Sequence, residues 1–362
     1  EQPAHTVPPA ATLDPTTAEV LAVMDEGADP CVDFYRYACG QWLDETTRPA
    51  DKPRYGRFHA LRDQNTAQMR VILEDAATDP QAPGERGQLG RFYAGCMDEG
   101  AAESSGLAAL APLLAEIEAA KTPAATMAVL AKIHQVGGQA LMSVHVEPAF
   151  DDPGTQVAHL GQGGLGLPDR SYYLDEGPDA DALRKAYVEH VAFMLSASKL
   201  PGTPEEVAAL AAKVVALETE LARASEPRDE LRDPEVLRSP MTRAALSKLV
   251  PELPWKAYFE AAGRAEPWPA GRALNVAPTA FFDRMGRAWS KTDPEVQRAY
   301  LRWHLVHGLA RHLPAALRTA DYELFDRRLQ GQAAPTPRWN DCVEATDAVL
   351  GEALGREFVA RR

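Results

Sequence analysis

Three sets of side chains in this sequence have types and spacings that could do chemistry. His304, His307 and His312 fall on one expected helix, and imidazoles are common transition-metal ligands. Their spacing is i, i+3, i+8, which turns the third ring onto another face. No carboxylate completes a ligand set, so they read as ordinary helix-face histidines. Gly161, Gly163 and Gly166 match G-x-G-x-x-G literally. A dinucleotide loop needs a strand before it and a helix after it. Here Pro168 follows at once and no βαβ unit surrounds the glycines, so nucleotide binding is not expected. Glu218, Glu220, Glu226, Asp229 and Glu230 form an acidic cluster without recognisable ligand spacing. They read as a solvated face with arginine partners.

The four cysteines are Cys31, Cys39, Cys96 and Cys342. An even count permits two disulfides without proving them. None belongs to a C-x-x-C pair, which argues against a zinc ribbon or a thioredoxin-like site. Buried, unpaired thiols are the alternative reading.

The elements that must position these residues are mainly helices. Phe58, Leu61, Met69, Ile72 and Leu73 mark a long amphipathic helix from Gly56 onward, and Leu183, Tyr187, Val191, Met194 and Leu195 mark another apolar helical face. Thr122-Pro123, Thr203-Pro204 and Asp293-Pro294 each place a capping side chain before a proline at the first helical position. Glu205 and Glu206 then favour the positive end of the dipole of the helix starting at Thr203, and residues 217–222 close that helix. Later helices are expected near 294–312 and 343–359. Residues 140–146 and 155–160, around Asp151-Asp152-Pro153-Gly154, read as a β-hairpin. Residues 227–240, rich in Pro, Arg, Asp and Glu, read as a connecting loop.

The chain has 362 residues, 45% of them hydrophobic, enough for one large or two ordinary domains. Its formal net charge of −14 argues against a nucleic-acid binder, which needs a basic face. No apolar run approaches the ~20 residues of a spanning helix. Residues 1–24 open with a polar stretch rich in Pro, Ala and Thr. They read as a flexible arm, the mature end left after an export signal is removed.

Residues 30–63 read PCVDFYRYACGQWLDETTRPADKPRYGRFHALRD. This stretch resembles the opening of the neprilysin and endothelin-converting-enzyme family of zinc metallopeptidases. That opening has a Cys, then Asp-Phe-(Phe/Tyr), Tyr-Ala-Cys-Gly-x-Trp and Arg-Tyr-Gly-x-Phe-x-x-Leu-Arg-Asp. The matches are Cys31, Asp33, Phe34, Tyr37, Ala38, Cys39, Gly40 and Trp42, followed by residues 54–63. Residues 165–173, LGLPDRSYY, are similar to the family's Leu-Gly-Leu-Pro-x-Arg-x-Tyr-Tyr. Residues 217–222, Arg228-Asp229, Met241-Thr242, Trp339, Cys342 and Gly355-Arg356 follow in the family's order. The resemblance runs from about Asp25 to the last residues.

The resemblance implies a zinc endopeptidase of small peptides acting outside the cytoplasm, whether secreted, periplasmic or at the cell surface. The family's His-Glu-x-x-His helix, in which two histidines hold zinc and the Glu activates water, has no counterpart in this sequence. The downstream Glu, the late His and the Asn-Ala-(Phe/Tyr) strand that binds substrate backbone are also lacking. The expectation is therefore the N-terminal half of such an enzyme, inactive alone, with zinc on a C-terminal half that is its partner. By resemblance, residues 25–79 belong to a thermolysin-like catalytic domain and 80–362 form a helical cap that limits substrate size. The fold class is mainly α with one β-hairpin. Arg54 and Arg62 match two arginines that line the family's S2′ pocket, where a guanidinium grips a peptide carboxylate or carbonyl. The third pocket position, usually Asp, is His59, which shifts the expected preference towards acidic groups. The resemblance pairs Cys96 with Cys342, and directs Cys31 and Cys39 to cysteines of the C-terminal half. A catalytically inactive relative that binds peptides or proteins is the rival reading.

Overall fold

The computed structural model describes residues 14–263 and 274–361. The chain divides into two compact units, Glu1–Asn65 with Gln332–Thr336, and Thr66–Gly331 with Pro337–Arg362. Most of the expected N-terminal arm lies outside the described residues. Within its described part, Asp14 accepts the Thr17 N–H at 3.1 Å and starts a short helix, α1 (Pro15–Leu21). This is the same Asp-Pro signal that opens the helix at Asp293, here inside a segment read as an arm.

The first unit continues with α2 (Phe34–Glu45) and the start of α3 (Arg57–Ala77), which ends in the second unit. The second unit then runs α4 (Gly84–Met97), α5 (Glu99–Ser105), α6 (Ala111–Ala119), α7 (Pro123–Gln135), β1 (Met142–Pro148) and β2 (Gln156–Gln162). It goes on through α8 (Ser171–Leu174), α9 (Pro178–Ala197), α10 (Pro204–Ala224), β3 (Pro240–Met241), α11 (Arg243–Leu249) and α12 (Trp255–Ala261). The last elements are β4 (Leu274–Ala277), α13 (Thr279–Lys291), α14 (Pro294–Gly308), α15 (Ala315–Asp321), a π-helical turn at Tyr322–Arg328, and α16 (Arg338–Ala360).

The fold is mainly α, as read from the sequence. The Thr-Pro and Asp-Pro signals open α7, α10 and α14. At α10 the Thr203 side chain accepts the Glu206 N–H while the Glu206 carboxylate accepts the Thr203 N–H. This reciprocal pair satisfies two backbone donors that the helix cannot. The 294–312 helix ends at Gly308, because Leu309 leaves helical geometry, and 310–312 forms a tight turn.

The hairpin pairs Met142 with Gln162 and Pro148 with Gln156. It belongs to a larger sheet of order β1-β2-β4-β3, in which β2 and β4 run parallel and β3 pairs antiparallel with β4. All of β4 is buried. It is too short for the period-2 pattern that reveals strands in a sequence.

The large core of the second unit gathers one face from each of α7, α9, α10, α13 and α14. Along α10, Val207, Leu210, Ala211, Val214, Leu217 and Leu221 recur at helical spacing and are all buried. Each large apolar side chain so placed stabilises the unit by roughly 1.5–3 kcal/mol. A smaller core joins Ile72, Leu73 and Ala76 of α3 to Leu89 and Tyr93 of α4 and to Val343 and Leu354 of α16. A disulfide between Cys96 and Cys342, 246 positions apart, links α4 to α16 beside that core.

Candidate functional site

In the first unit, local chemistry sets the positions of the pocket candidates. Asp33 caps α2 by accepting the Arg36 N–H at 2.8 Å. The Arg36 guanidinium bonds Asp25 at 3.0 Å and Asp44 at 2.9 and 2.5 Å. Those bonds hold the Asp44 carboxyl below its ordinary range. Gly40 is required by close approach, since a Cβ there would lie 2.5 Å from that of Asp25. The Trp42 and Tyr55 rings stack at 6.1 Å, and Tyr55 meets the His59 ring at 6.1 Å. Burial raises the Tyr55 hydroxyl pKa, with the charge of Asp63 adding to the effect. Lys52 pairs with Asp63 at 3.3 Å.

Arg54 is exposed three residues before α3, Arg62 is exposed on α3, and His59 is half-buried. The i, i+3 spacing of His59 and Arg62 puts them on one face of the helix. Around them the unit leaves large apolar side chains in solvent: Phe58 is 88% exposed, Val32 83% and Phe34 68%. Cys31, exposed, and Cys39, half-buried, are free thiols.

The second unit has a polar centre that the sequence reading missed. Glu218 is fully buried and its ion-pair partner is His304, which corrects its assignment to a solvated acidic face with arginine partners. Its Oε2 accepts the Tyr173 hydroxyl at 2.8 Å and the Tyr187 hydroxyl at 2.6 Å. Its Oε1 accepts Trp303 Nε1–H at 3.0 Å and faces His304 Nε2 at 2.9 Å. Burial and the Glu218 charge together raise both tyrosine pKa values well above the ordinary one. The Tyr173 hydroxyl also accepts the Leu167 N–H at 2.8 Å. Residues 165–173 and 217–222, two motifs far apart in sequence, thus meet at one carboxylate. Gly166 serves this packing and not a phosphate, because a Cβ there would lie 2.0 Å from Tyr187 Oη. Glu220 and Glu226 do keep arginine partners, Arg223 and Arg284.

The histidines of α14 separate. His304 turns to Glu218, while His307 Nδ1 meets Asp321 Oδ1 at 2.7 Å. Each has a carboxylate partner from another helix, which corrects the expectation that none faces them. His312 lies beyond the end of α14, exposed.

The model of peptidase family M13, built on the N-terminal part of its members, matches residues 30–362. The chain belongs to peptidase family M13. Endothelin-converting enzyme 1 of Rattus norvegicus is 26% identical over 353 residues, covering 95% of this chain and 45% of that protein. An endothelin-converting enzyme homolog of Locusta migratoria is 29% identical over 360 residues, covering 94% and 49%. Among solved structures, zinc metalloprotease Zmp1 of Mycobacterium tuberculosis with an inhibitor superposes with a TM-score of 0.85 at 30% identity, over 94% of this chain and 51% of that one. The chain spans about half the length of the curated relatives it matches.

The tightly matched runs of this M13 chain now have physical roles. In the first unit Asp33 caps, Gly40 permits close approach, and Trp42, Tyr55 and His59 line up their rings. In the second unit Glu218 ties Tyr173, Tyr187, Trp303 and His304 together. The M13 zinc finds no His-Glu-x-x-His run here. Among the described residues, two other groups bring three donor atoms within 4.8 Å of one another: His145, Glu147 and His159, and His190, His307 and Asp321. The second group draws on three separate helices and could not be read from spacing; in the first, His145 and Glu147 share β1 and His159 pairs with His145 across the hairpin.

Proposed function

We propose that this chain is the N-terminal half of an M13 zinc metalloendopeptidase that cleaves small peptides outside the cytoplasm. In this reading, residues 25–79 complete a catalytic domain whose zinc ligands lie on a C-terminal half, and residues 80–362 cap it and limit substrate size. The observation that carries the reading is the apolar surface of the first unit. Val32, Phe34 and Phe58 are largely exposed beside the motifs shared with the family. Large apolar side chains left this exposed on one unit are what an association site would cover.

The zinc would polarise the scissile carbonyl and activate water, and residues beyond this chain would hold it. This chain contributes binding. Arg54 and Arg62 would grip a substrate carboxylate or carbonyl through planar, permanently charged forks. His59, in place of the family's usual Asp, removes a negative charge from the same pocket and favours acidic over basic groups. Cys31 and Cys39 would bond to the C-terminal half.

The test is the intact mass of the protein isolated from its native host, with and without reductant, together with zinc content. A heavier species carrying zinc, in which Cys31 and Cys39 are oxidised, is expected. A single 39.3 kDa mass under both conditions, with two free thiols, would overturn the proposal.

A further inference from the structure

We propose that His190 of α9, His307 of α14 and Asp321 of α15 form a binding site for one divalent transition-metal ion of the zinc class. One donor atom of each lies within 4.8 Å of the other two. Two imidazoles and a carboxylate suit this class, and three protein ligands leave a fourth position for water.

Two further observations point the same way. The His190 Nε2 atom is buried without a hydrogen-bond partner, on a side chain only 8% exposed. Buried polar atoms without partners are uncommon and call for an explanation, and a metal ion would supply one. Burial also lowers the His190 pKa to about 4, so its imidazole is neutral and carries a lone pair at physiological pH.

The rings are held as ligands need to be held. His190 packs edge-on against Trp303 at 5.4 Å and Phe325 at 5.5 Å. His307 stacks on Trp303 at 4.7 Å and lies against Phe325 at 4.5 Å. Phe325 comes from the π-helical turn Tyr322–Arg328, which begins immediately after Asp321. Such turns are rare and concentrate at functional sites.

Access remains open, since the His307 and Asp321 side chains are 23% and 12% exposed. Donor atoms around a tetrahedral ion with bonds of about 2.0–2.1 Å lie roughly 3.3 Å apart. The three donor atoms here lie within 4.8 Å of one another, and the ion would draw them to that spacing. The present contact between His307 Nδ1 and Asp321 is a hydrogen bond; for Nδ1 to hold the ion, the single proton of the neutral ring would sit on Nε2 instead. Bound there, the ion would pin α9, α14 and α15 together.

The other group, His145, Glu147 and His159, is a poorer candidate. Asn275 Oδ1 accepts the Ser239 N–H at 2.7 Å, and its Nδ2 donates to Leu237 O at 2.8 Å. The remaining Nδ2 hydrogen points to His159 Nδ1 at 3.2 Å. That makes Nδ1 the acceptor and leaves the ring proton on Nε2, which is buried without a partner as His190 Nε2 is; a metal there would have to break the Asn275 bond, whereas the bond displaced at His307 joins two residues that both become ligands.

The test uses the 362-residue chain equilibrated with Zn²⁺ or Co²⁺ and passed over a desalting column, with circular dichroism reporting its fold. Metal content, the visible spectrum of bound Co²⁺ and the thermal midpoint are compared for wild type, His190→Gln, Asp321→Asn and His145→Gln. Wild type and His145→Gln should each retain one ion and melt higher with metal. His190→Gln and Asp321→Asn should lose that ion, with affinity weakened by at least the roughly 10–100-fold that loss of a supporting partner costs. Asp321→Asn keeps shape and packing, so it separates ligand loss from misfolding. Equal uptake by wild type and both ligand variants would overturn the proposal, as would loss of the ion in His145→Gln instead.

Discussion

Replacing Glu218 with alanine should destabilise the second unit far more than any surface acidic substitution. The carboxylate is fully buried and meets Tyr173, Tyr187, Trp303 and His304. Truncation leaves those polar groups without that acceptor in a fully buried site. Each orphaned group costs about 1–3 kcal/mol, an upper sum of roughly 12 kcal/mol if nothing relaxed. Two effects reduce it. The tyrosine hydroxyls can rotate, and the buried carboxylate carries its own desolvation cost, which its removal relieves. The net expectation is about 4 kcal/mol, within the range for breaking one side of a buried charged network. Glu218→Gln keeps the shape and one good acceptor, and the hydroxyls can turn to accept its N–H, so about 1–2 kcal/mol is expected. Glu220→Ala is the control: that side chain is 56% exposed, and a change within about 0.5 kcal/mol is expected. Urea unfolding followed by tryptophan fluorescence, which Trp303 reports directly, measures all three. A Glu218→Ala loss no larger than that of Glu220→Ala would refute the account of Glu218 as the polar centre of this unit.

Burial raises the Asp341 pKa to about 6, against the opposing pull of Arg311. Because the folded value lies above the unfolded one, its favourable contribution is present at low pH and is lost as pH rises through about 6. Wild type should therefore lose stability relative to Asp341→Asn between about pH 4 and pH 7, on the order of 1–2 kcal/mol; a difference independent of pH in unfolding titrations would contradict this. Cys96→Ala with Cys342→Ala opens a closure of 246 positions and should cost about 3–5 kcal/mol; a loss under about 1 kcal/mol in guanidinium melts would show that the bridge constrains the unfolded chain little. In the assembled peptidase, Arg54→Ala and Arg62→Ala should raise KM about 10-fold or more for peptides with a free C-terminal carboxylate, and less for their amidated forms. Equal losses on both substrates would remove these arginines from carboxylate recognition.

Local physics made much of the fold legible. A Thr or Asp side chain that accepts a backbone N–H, followed by proline, starts a helix with little help from elsewhere, which is why α7, α10 and α14 begin where the sequence places them. The same signal at Asp14-Pro15 opens α1 within a stretch whose composition is that of an arm. The hairpin was legible from a turn-rich segment between two strand-like runs. Its extension by β4 was not, because four buried residues carry no alternation. The pocket candidates Arg54, His59 and Arg62 were visible through resemblance alone, since exposed arginines have no distinguishing pattern of their own.

Sequence alone determined the helical class, the capped starts, the family motifs and the excess of acidic charge, because each depends on neighbours within a few residues or on composition. Tertiary structure decided which polar side chains leave solvent. Glu218 and Glu220 are two residues apart on one helix, yet one is fully buried and the other pairs with Arg223 at the surface. A helix turns about 100° per residue, so two positions separate opposite sides, and only the packing of α10 against its neighbours says which side is inside. His304 and His307 part in the same way, each choosing a carboxylate on a different helix. Meetings of this kind are set by packing across long stretches of chain, and no spacing along the sequence encodes them.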